Sequence, residues 1–255
     1  MICNKMKKQN KSIRPYKTLY DLFQERKKGK ACNLSLQKRQ YKSNECYYCG
    51  TILNKKNKTR DHIPSQCLFV GFAEKYKQNR ITVPCCKECN FKLSQYENEF
   101  RNCIGITNSK NKKAKLITQK SVKELLMVKN FSRLHFSDKG QVCGVDFDCT
   151  PIEKTHEKNF KGVFYRLYGY RLPDNFQLYI FESNIQLSLN INDYLHSQKW
   201  YYSGSDKIFK IKIAMLNSKM KVVPLIDRAS FIFSKLIYHQ SHIIYIIAKR
   251  LWKKE

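Results

Sequence analysis

Two cysteine pairs place the strongest constraint on how this chain of 255 residues folds. Each pair has the spacing Cys-x-x-Cys, and residues 50 to 85 separate the two. Four thiolates complete the tetrahedral ligand shell of a structural zinc ion, so this spacing predicts one such site. Cys85 directly precedes the second pair but falls outside its spacing, and we predict that it is a buried thiol. The predicted zinc ligands are Cys46, Cys49, Cys86 and Cys89.

The remaining cysteines indicate a reducing compartment. The chain has 11 cysteines and is longer than a small disulfide-linked scaffold, and those outside the two pairs show no paired spacing. The N-terminus has no apolar segment of signal-peptide length, and the longest apolar run, 243–248, is too short to cross a bilayer. We therefore expect a cytoplasmic protein with no role at a membrane.

The charge of the chain indicates a polyanionic partner. The formal net charge is +29, spread over the whole length, which exceeds what solubility requires. Nucleic acid is the leading candidate, although a lysine-rich proteome would also produce this composition. Residues 1–45 form a predicted basic N-terminal arm, extended or partly ordered, which is either a strap that binds phosphates or a solvated tail.

The residues between and beside the cysteine pairs predict a second, hydrolytic metal site. Mg²⁺ and Mn²⁺ prefer oxygen ligands, and Asp61 and Asn90 supply a carboxylate and an amide oxygen. His62 is the candidate general base, because a neutral imidazole can take a proton from an attacking water. Neighbours on a strand point to opposite faces, so Asp61 and His62 reach one atom only if the strand end is distorted or the metal lies to one side.

Each of these residues also has a plain structural explanation. Asp61 and His62 could be a surface pair, and Asn79 is a residue type that is common in loops. Asn90 could be the cap of the helix that we predict to begin near it, with Leu93, Tyr96, Phe100 and Ile104 at helical spacing.

Local patterns predict a hairpin before that helix. The extended segments 51–53 and 59–63 flank a basic turn at 54–58, and Pro64 would end the second strand. Residues 65–79 are predicted to be a loop or short helix, and 80–83 a brief extended run.

The region 108–255 is predicted to be α+β with a small antiparallel sheet. A basic loop at 108–115 precedes a capping box at Ser121, and a longer helix begins near Thr150 and ends at Gly169. Strands are predicted at 176–181, 199–202, 209–213 and 230–233. The aromatic residues near them, including Trp200, are favoured as core over a role in stacking on bases.

The segments Asp61–Pro64 and Asn79–Asn90 resemble the HNH family of metal-dependent nucleases. The resemblance is to the four-cysteine branch, in particular to bacterial proteins with Asp-His-[Ile/Val]-Pro followed by Asn-x-Ile-Thr-Val-Pro-x-Cys-x-x-Cys-Asn. The last family position is often histidine and is Asn90 here. Lower similarity extends to the segments 94–100, 161–166 and 171–173.

The resemblance implies a ββα-metal fold in residues 46–107, closed by the four-cysteine zinc site. It implies that His62 is the general base, that Asp61 and Asn90 bind the catalytic ion, and that Asn79 fixes the loop and orients the histidine. The function implied is a DNA endonuclease with structural Zn²⁺ and catalytic Mg²⁺ or Mn²⁺. RNA is a less favoured substrate.

Two other classes of function stay open at the level of sequence. The first is a catalytically inactive zinc-ribbon protein that binds nucleic acid. The second is the effector of a larger assembly, as in HNH nucleases of antiviral defence systems and mobile elements, with a protein partner or a homodimer.

Overall fold

The computed structural model describes residues 32–33, 44–107, 112–182, 191–205 and 207–252. Most of the predicted basic arm and the start of the predicted loop at 108–115 lie outside these ranges. The fold class agrees with the prediction at the level of α+β, with antiparallel sheets and a four-cysteine cluster. Within the described residues, no helix combines the length and the apolar character that crossing a bilayer requires.

The first long strand pairs with a partner that local patterns did not predict. Strand β2 (Lys58–Ile63) is antiparallel to β3 (Ile81–Cys86), whereas Ile52 makes only an isolated bridge with Glu45. The predicted hairpin between 51–53 and 59–63 is therefore wrong. In β3, Ile81 and Val83 are buried opposite Ile63 and Asp61, so pairing with β3 covers one face of β2 with apolar side chains.

Five α-helices lie in the described residues. They are α1 (Glu74–Lys77), α2 (Lys87–Thr107), α3 (Lys115–Leu125), α4 (Cys149–Tyr168) and α5 (Ile191–His196). Helix α2 follows β3 without a loop and begins three residues before Asn90, so Asn90 lies inside the helix and is not its cap. Leu93, Phe100 and Ile104 are buried on α2, as the periodicity predicted.

Ser121 does not open a helix, contrary to the capping-box prediction. It lies inside α3, fully buried, and its hydroxyl donates to the Arg101 carbonyl of α2 at 3.4 Å. A Cβ added at Gly105 would come within 2.4 Å of the Ser121 hydroxyl, so the two helices approach closely at these small residues. Close packing against α2 therefore requires a small residue at position 121.

Helix α4 begins and ends close to the predicted positions. Its N-cap is Asp148, whose side chain accepts a hydrogen bond from the Thr150 amide at 2.9 Å, so the cap lies two residues before the predicted one. It ends at Gly169, which has the left-handed φ of 79° that favours glycine.

The largest sheet has six strands in the order β1-β7-β8-β9-β10-β6. The short edge pair of β1 (Cys32–Asn33) and β7 (Tyr201–Tyr202) is parallel, and the other pairs are antiparallel. Its remaining strands are β6 (Phe176–Glu182), β8 (Phe209–Leu216), β9 (Phe231–Tyr238) and β10 (His242–Arg250). A separate hairpin joins β4 (Leu134–Phe136) to β5 (Val142–Val145).

Helix α4 packs against both the two-stranded sheet of β2 and β3 and the inner face of the six-stranded sheet. A Cβ on Gly162 would come within 2.4 Å of the Ile63 side chain, and the Asn159 amide donates to the Tyr238 hydroxyl at 3.0 Å. One hydrophobic cluster therefore contains residues from 46–107 and from the C-terminal region, among them Ile63 and Ile246. The predicted domain boundary at 107/108 stays a prediction.

Candidate functional site

The four predicted cysteines come together. The Sγ atoms of Cys46, Cys49, Cys86 and Cys89 all lie within 4.8 Å of one another, and those of Cys49 and Cys86 are 3.8 Å apart. A tetrahedral zinc ion with Zn–S bonds of about 2.3 Å requires sulfur–sulfur separations of about 3.8 Å. The cluster therefore has the ligand type, number and size of a structural zinc site.

Local backbone geometry presents these thiols. Gly50 has a left-handed φ of 82°, and its amide donates to the Cys46 carbonyl at 2.9 Å, which closes the first cysteine turn. Cys85 lies outside the cluster and is fully buried, as predicted. The Cys46 and Cys85 sulfur atoms lie 3.8 Å apart, and this contact lowers the pKa of Cys46 to about 4, which favours the thiolate that a metal requires.

Asp61 is buried on the face of β2 that α4 covers, and both of its carboxylate oxygens have partners. The Tyr47 hydroxyl donates to Oδ2 at 2.7 Å, and the Lys158 ammonium contacts Oδ1 at 2.8 Å. Tyr47 follows Cys46 directly, so one residue connects the cysteine cluster to this carboxylate.

Lys158 joins Asp61 to a second carboxylate. Its ammonium lies 2.5 Å from Glu97 of α2, and its side chain is only 1% exposed. Burial alone disfavours the charged ammonium, but Asp61 and Glu97 outweigh that effect and raise the pKa of Lys158 above its usual value. Strand β2, helix α2 and helix α4 therefore meet at one buried ionic cluster.

His62 lies on the opposite face of β2 and is half-buried. The Gln66 side-chain amide is 3.0 Å from its Nδ1 and 3.2 Å from its Nε2. Burial lowers the pKa of His62, and the positive charge of Arg80 lowers it further. The ring is therefore neutral near pH 7, the form in which an imidazole accepts a proton.

Asn79 shapes the loop before β3. It has a left-handed φ of 55°, which asparagine tolerates better than most residues, and its carbonyl accepts from the Gly204 amide at 3.3 Å. Within the described ranges, Gln66 rather than Asn79 provides the side-chain contact to the His62 ring. Asn90 is half-buried in the first turn of α2, directly after Cys89.

The sequence motifs identified the cysteines, Asp61 and His62 but missed the residues that contact them or shift their pKa values. Glu97 lies on α2, in the acidic and aromatic segment 94–100. Lys158, Tyr47, Gln66 and Arg80 carried no local signal, because isolated residues of these types are common on protein surfaces. Pairing over a long sequence separation, as between Lys158 and Asp61, is visible only in the fold.

Comparison with models of known protein families, with curated proteins and with solved structures finds no match to this chain.

Proposed function

We propose that this protein is a metal-dependent endonuclease of the HNH type that hydrolyses DNA phosphodiester bonds. The observation that carries the proposal is the order of elements around the cysteine cluster. Strand β2 bears Asp61 and His62 and pairs with β3, and β3 runs through Cys86 directly into α2, which bears Asn90. This order is the β-β-α order that the resemblance to HNH nucleases implies.

In this proposal His62, Asp61 and Asn90 have separate roles in the hydrolysis. His62 is the general base, because a neutral, half-exposed imidazole can accept a proton from water. Asp61 and Asn90 would hold Mg²⁺ or Mn²⁺, whose charge stabilises the negative charge that develops on the phosphate. Asp61 must exchange at least one of its present partners, Tyr47 or Lys158, to bind that ion.

The same contacts favour a second candidate, a zinc-stabilised protein that binds nucleic acid without cutting it. In that case the carboxylate of Asp61 serves only the buried ionic cluster with Lys158 and Glu97. Such a protein would keep the cysteine cluster and the positive net charge but would not use His62.

Plasmid cleavage distinguishes the two functions. We expect the purified protein to nick or cut plasmid DNA with Mg²⁺ or Mn²⁺, and His62→Ala to lower the rate by about 10²-fold or more, the usual contribution of a general base. His135→Ala is the matched control, since His135 is exposed on β4 and pairs with Asp146. DNA binding without cleavage under both metals, with equal behaviour of the two histidine variants, would support the binding protein instead.

A further inference from the structure

An arginine lies beside His62 on the two-stranded sheet of β2 and β3. His62 pairs directly with Thr82, and Arg80 precedes Thr82 by two residues, so the pleat directs its side chain to the His62 face. Diagonal neighbours on one face of an antiparallel pair are about 7–8 Å apart, within reach of a long side chain. The charge of Arg80 lowers the pKa of His62 more than any other charged group does, in agreement with this proximity. The buried Asp61 lies on the other face.

Three contacts hold the Arg80 side chain in place. Its Nε donates to the Lys77 carbonyl at 3.0 Å, and its guanidinium carbon lies 5.3 Å from the centre of the Phe69 ring. A Cβ added at Gly204 would come within 3.2 Å of Arg80 Cγ, so the aliphatic part of the side chain packs against this glycine. The guanidinium is therefore oriented before any ligand binds.

The two terminal nitrogens of Arg80 are available to a ligand. Among the residues that the structure describes, neither nitrogen has a hydrogen-bond or ion-pair partner, and both reach the surface. The carboxylate whose charge acts on Arg80 is that of Glu74, and it pairs with Lys77 at 2.6 Å. Burial lowers the pKa of Arg80, but an arginine keeps its charge near pH 7. A guanidinium that is fixed through Nε and free at both ends suits a phosphate, which accepts two parallel hydrogen bonds.

We propose that Arg80 binds the reacting phosphate beside His62, its two terminal nitrogens donating to the non-bridging oxygens. This assignment rests on the proposed function, which supplies DNA as the ligand and His62 as the base. Negative charge grows on the non-bridging oxygens as water attacks, so a cation already fixed next to them stabilises the transition state more than the bound substrate. The motif that resembles the HNH family leaves position 80 unspecified.

Hydrolysis of two substrates tests this role. One is a plasmid, and the other is bis(p-nitrophenyl) phosphate, a small diester with a single phosphate, so that only contacts to the reacting phosphate affect its hydrolysis. With Mg²⁺ or Mn²⁺ we expect Arg80→Gln to lower kcat on both by about 10²-fold or more, the usual loss when one fixed donor to developing charge is removed. Arg80→Lys should recover part of the rate, because it restores the charge but not the paired hydrogen bonds.

The matched control is Arg228→Gln, which removes the same charge far from the site. Arg228 is exposed in a short 3₁₀ turn at the Leu216 end of β8, whereas Gly204 lies at the Phe209 end. The eight residues of β8 separate these ends by about 20 Å. Urea unfolding checks that each variant is folded, and Arg80→Lys carries the test if Arg80→Gln is not.

Binding of a labelled DNA duplex without divalent metal measures the phosphate contact independently of cleavage. Each phosphate contact contributes about one unit to the slope of log affinity against log salt. We therefore expect Arg80→Gln to reduce this slope by about 1 and Arg228→Gln to leave it unchanged.

The outcomes separate this inference from the nuclease proposal. If wild type cuts neither substrate but the slopes differ as expected, the nuclease proposal fails and the phosphate contact of Arg80 stands. If wild type cuts DNA and the folded Arg80 variants cut it at the same rate, the Arg80 inference fails and the nuclease proposal stands. A plasmid KM that rises with kcat unchanged would place Arg80 on a neighbouring phosphate, and equal losses in Arg228→Gln would show an effect of net charge; either result overturns the inference.

Discussion

Replacing Lys158 tests whether the buried ionic cluster holds three elements together. Lys158→Met keeps most of the side-chain volume and the helix propensity but removes the charge. Among the partners that the described residues provide, Asp61, whose side chain is 4% exposed, would then keep only the Tyr47 hydroxyl, whereas Glu97 is 20% exposed and can regain water. Breaking a buried ion pair from one side costs about 3–5 kcal/mol, and the partial hydration of Glu97 places our expectation near 3 kcal/mol.

Urea unfolding of the zinc-loaded protein measures this loss. With m of about 1–3 kcal/mol/M, a loss of about 3 kcal/mol lowers the midpoint by about 1–3 M. Lys154→Met is the matched control on the same helix, because Lys154 is 47% exposed and its pair with Glu157 is a surface pair worth under about 1 kcal/mol.

A double-mutant cycle measures the coupling between Lys158 and Asp61. Asp61→Asn removes the carboxylate that Lys158→Met leaves without its cation, so the double variant should lose less stability than the sum of the single losses, with a coupling of about 1–3 kcal/mol. Additive losses, or a loss below about 1 kcal/mol for Lys158→Met, would show that the cluster does not join β2, α2 and α4.

Two further predictions concern the cysteine cluster and the buried histidines. Cys49→Ser or Cys89→Ser should lower both zinc content and the free energy of unfolding, because a structural ion contributes to folding directly; an intact fold with less than about one zinc per two chains in the wild type would contradict this. Burial lowers the pKa of His156 well below 6.5 and those of His239 and His242 to about 4. These rings are neutral in the folded protein, whereas the unfolded chain takes up protons below pH 6.5, so the free energy of unfolding should fall by roughly 2 kcal/mol per histidine between pH 6.5 and about pH 5. Urea midpoints that do not change over this range would refute the assignment.

Structural features that depend only on a short stretch of sequence were predictable. The Cys-x-x-Cys pairs place two ligands each within one turn, so only the meeting of the two pairs depended on the fold. Helix α4 carries its end signal locally, at Gly169, where a left-handed φ is required. The alternation at 209–213 likewise predicted part of β8, because one face of that strand is buried and the other carries lysines.

The strand partner of β2 and the last strand were not predictable in this way. The segment 51–53 is nearer in sequence to β2, but β3 offers buried side chains at alternate positions over the whole length of β2. From the sequence, the apolar run 243–248 indicated only that it is too short to cross a membrane. It is the middle of β10, which pairs with β9 and β6 and so forms an interior strand of the sheet.

The sequence by itself determined which chemistry is present: four thiols at ligand spacing, an Asp-His pair on a strand, and a large excess of positive charge. Tertiary structure alone decided how that chemistry is used. It brought Lys158 from α4 to Asp61, set His62 on the opposite face, and placed Arg80 beside His62. Electrostatic and hydrogen-bonding contacts depend on distance in space, and residues far apart in a chain carry no local pattern that records which of them will meet.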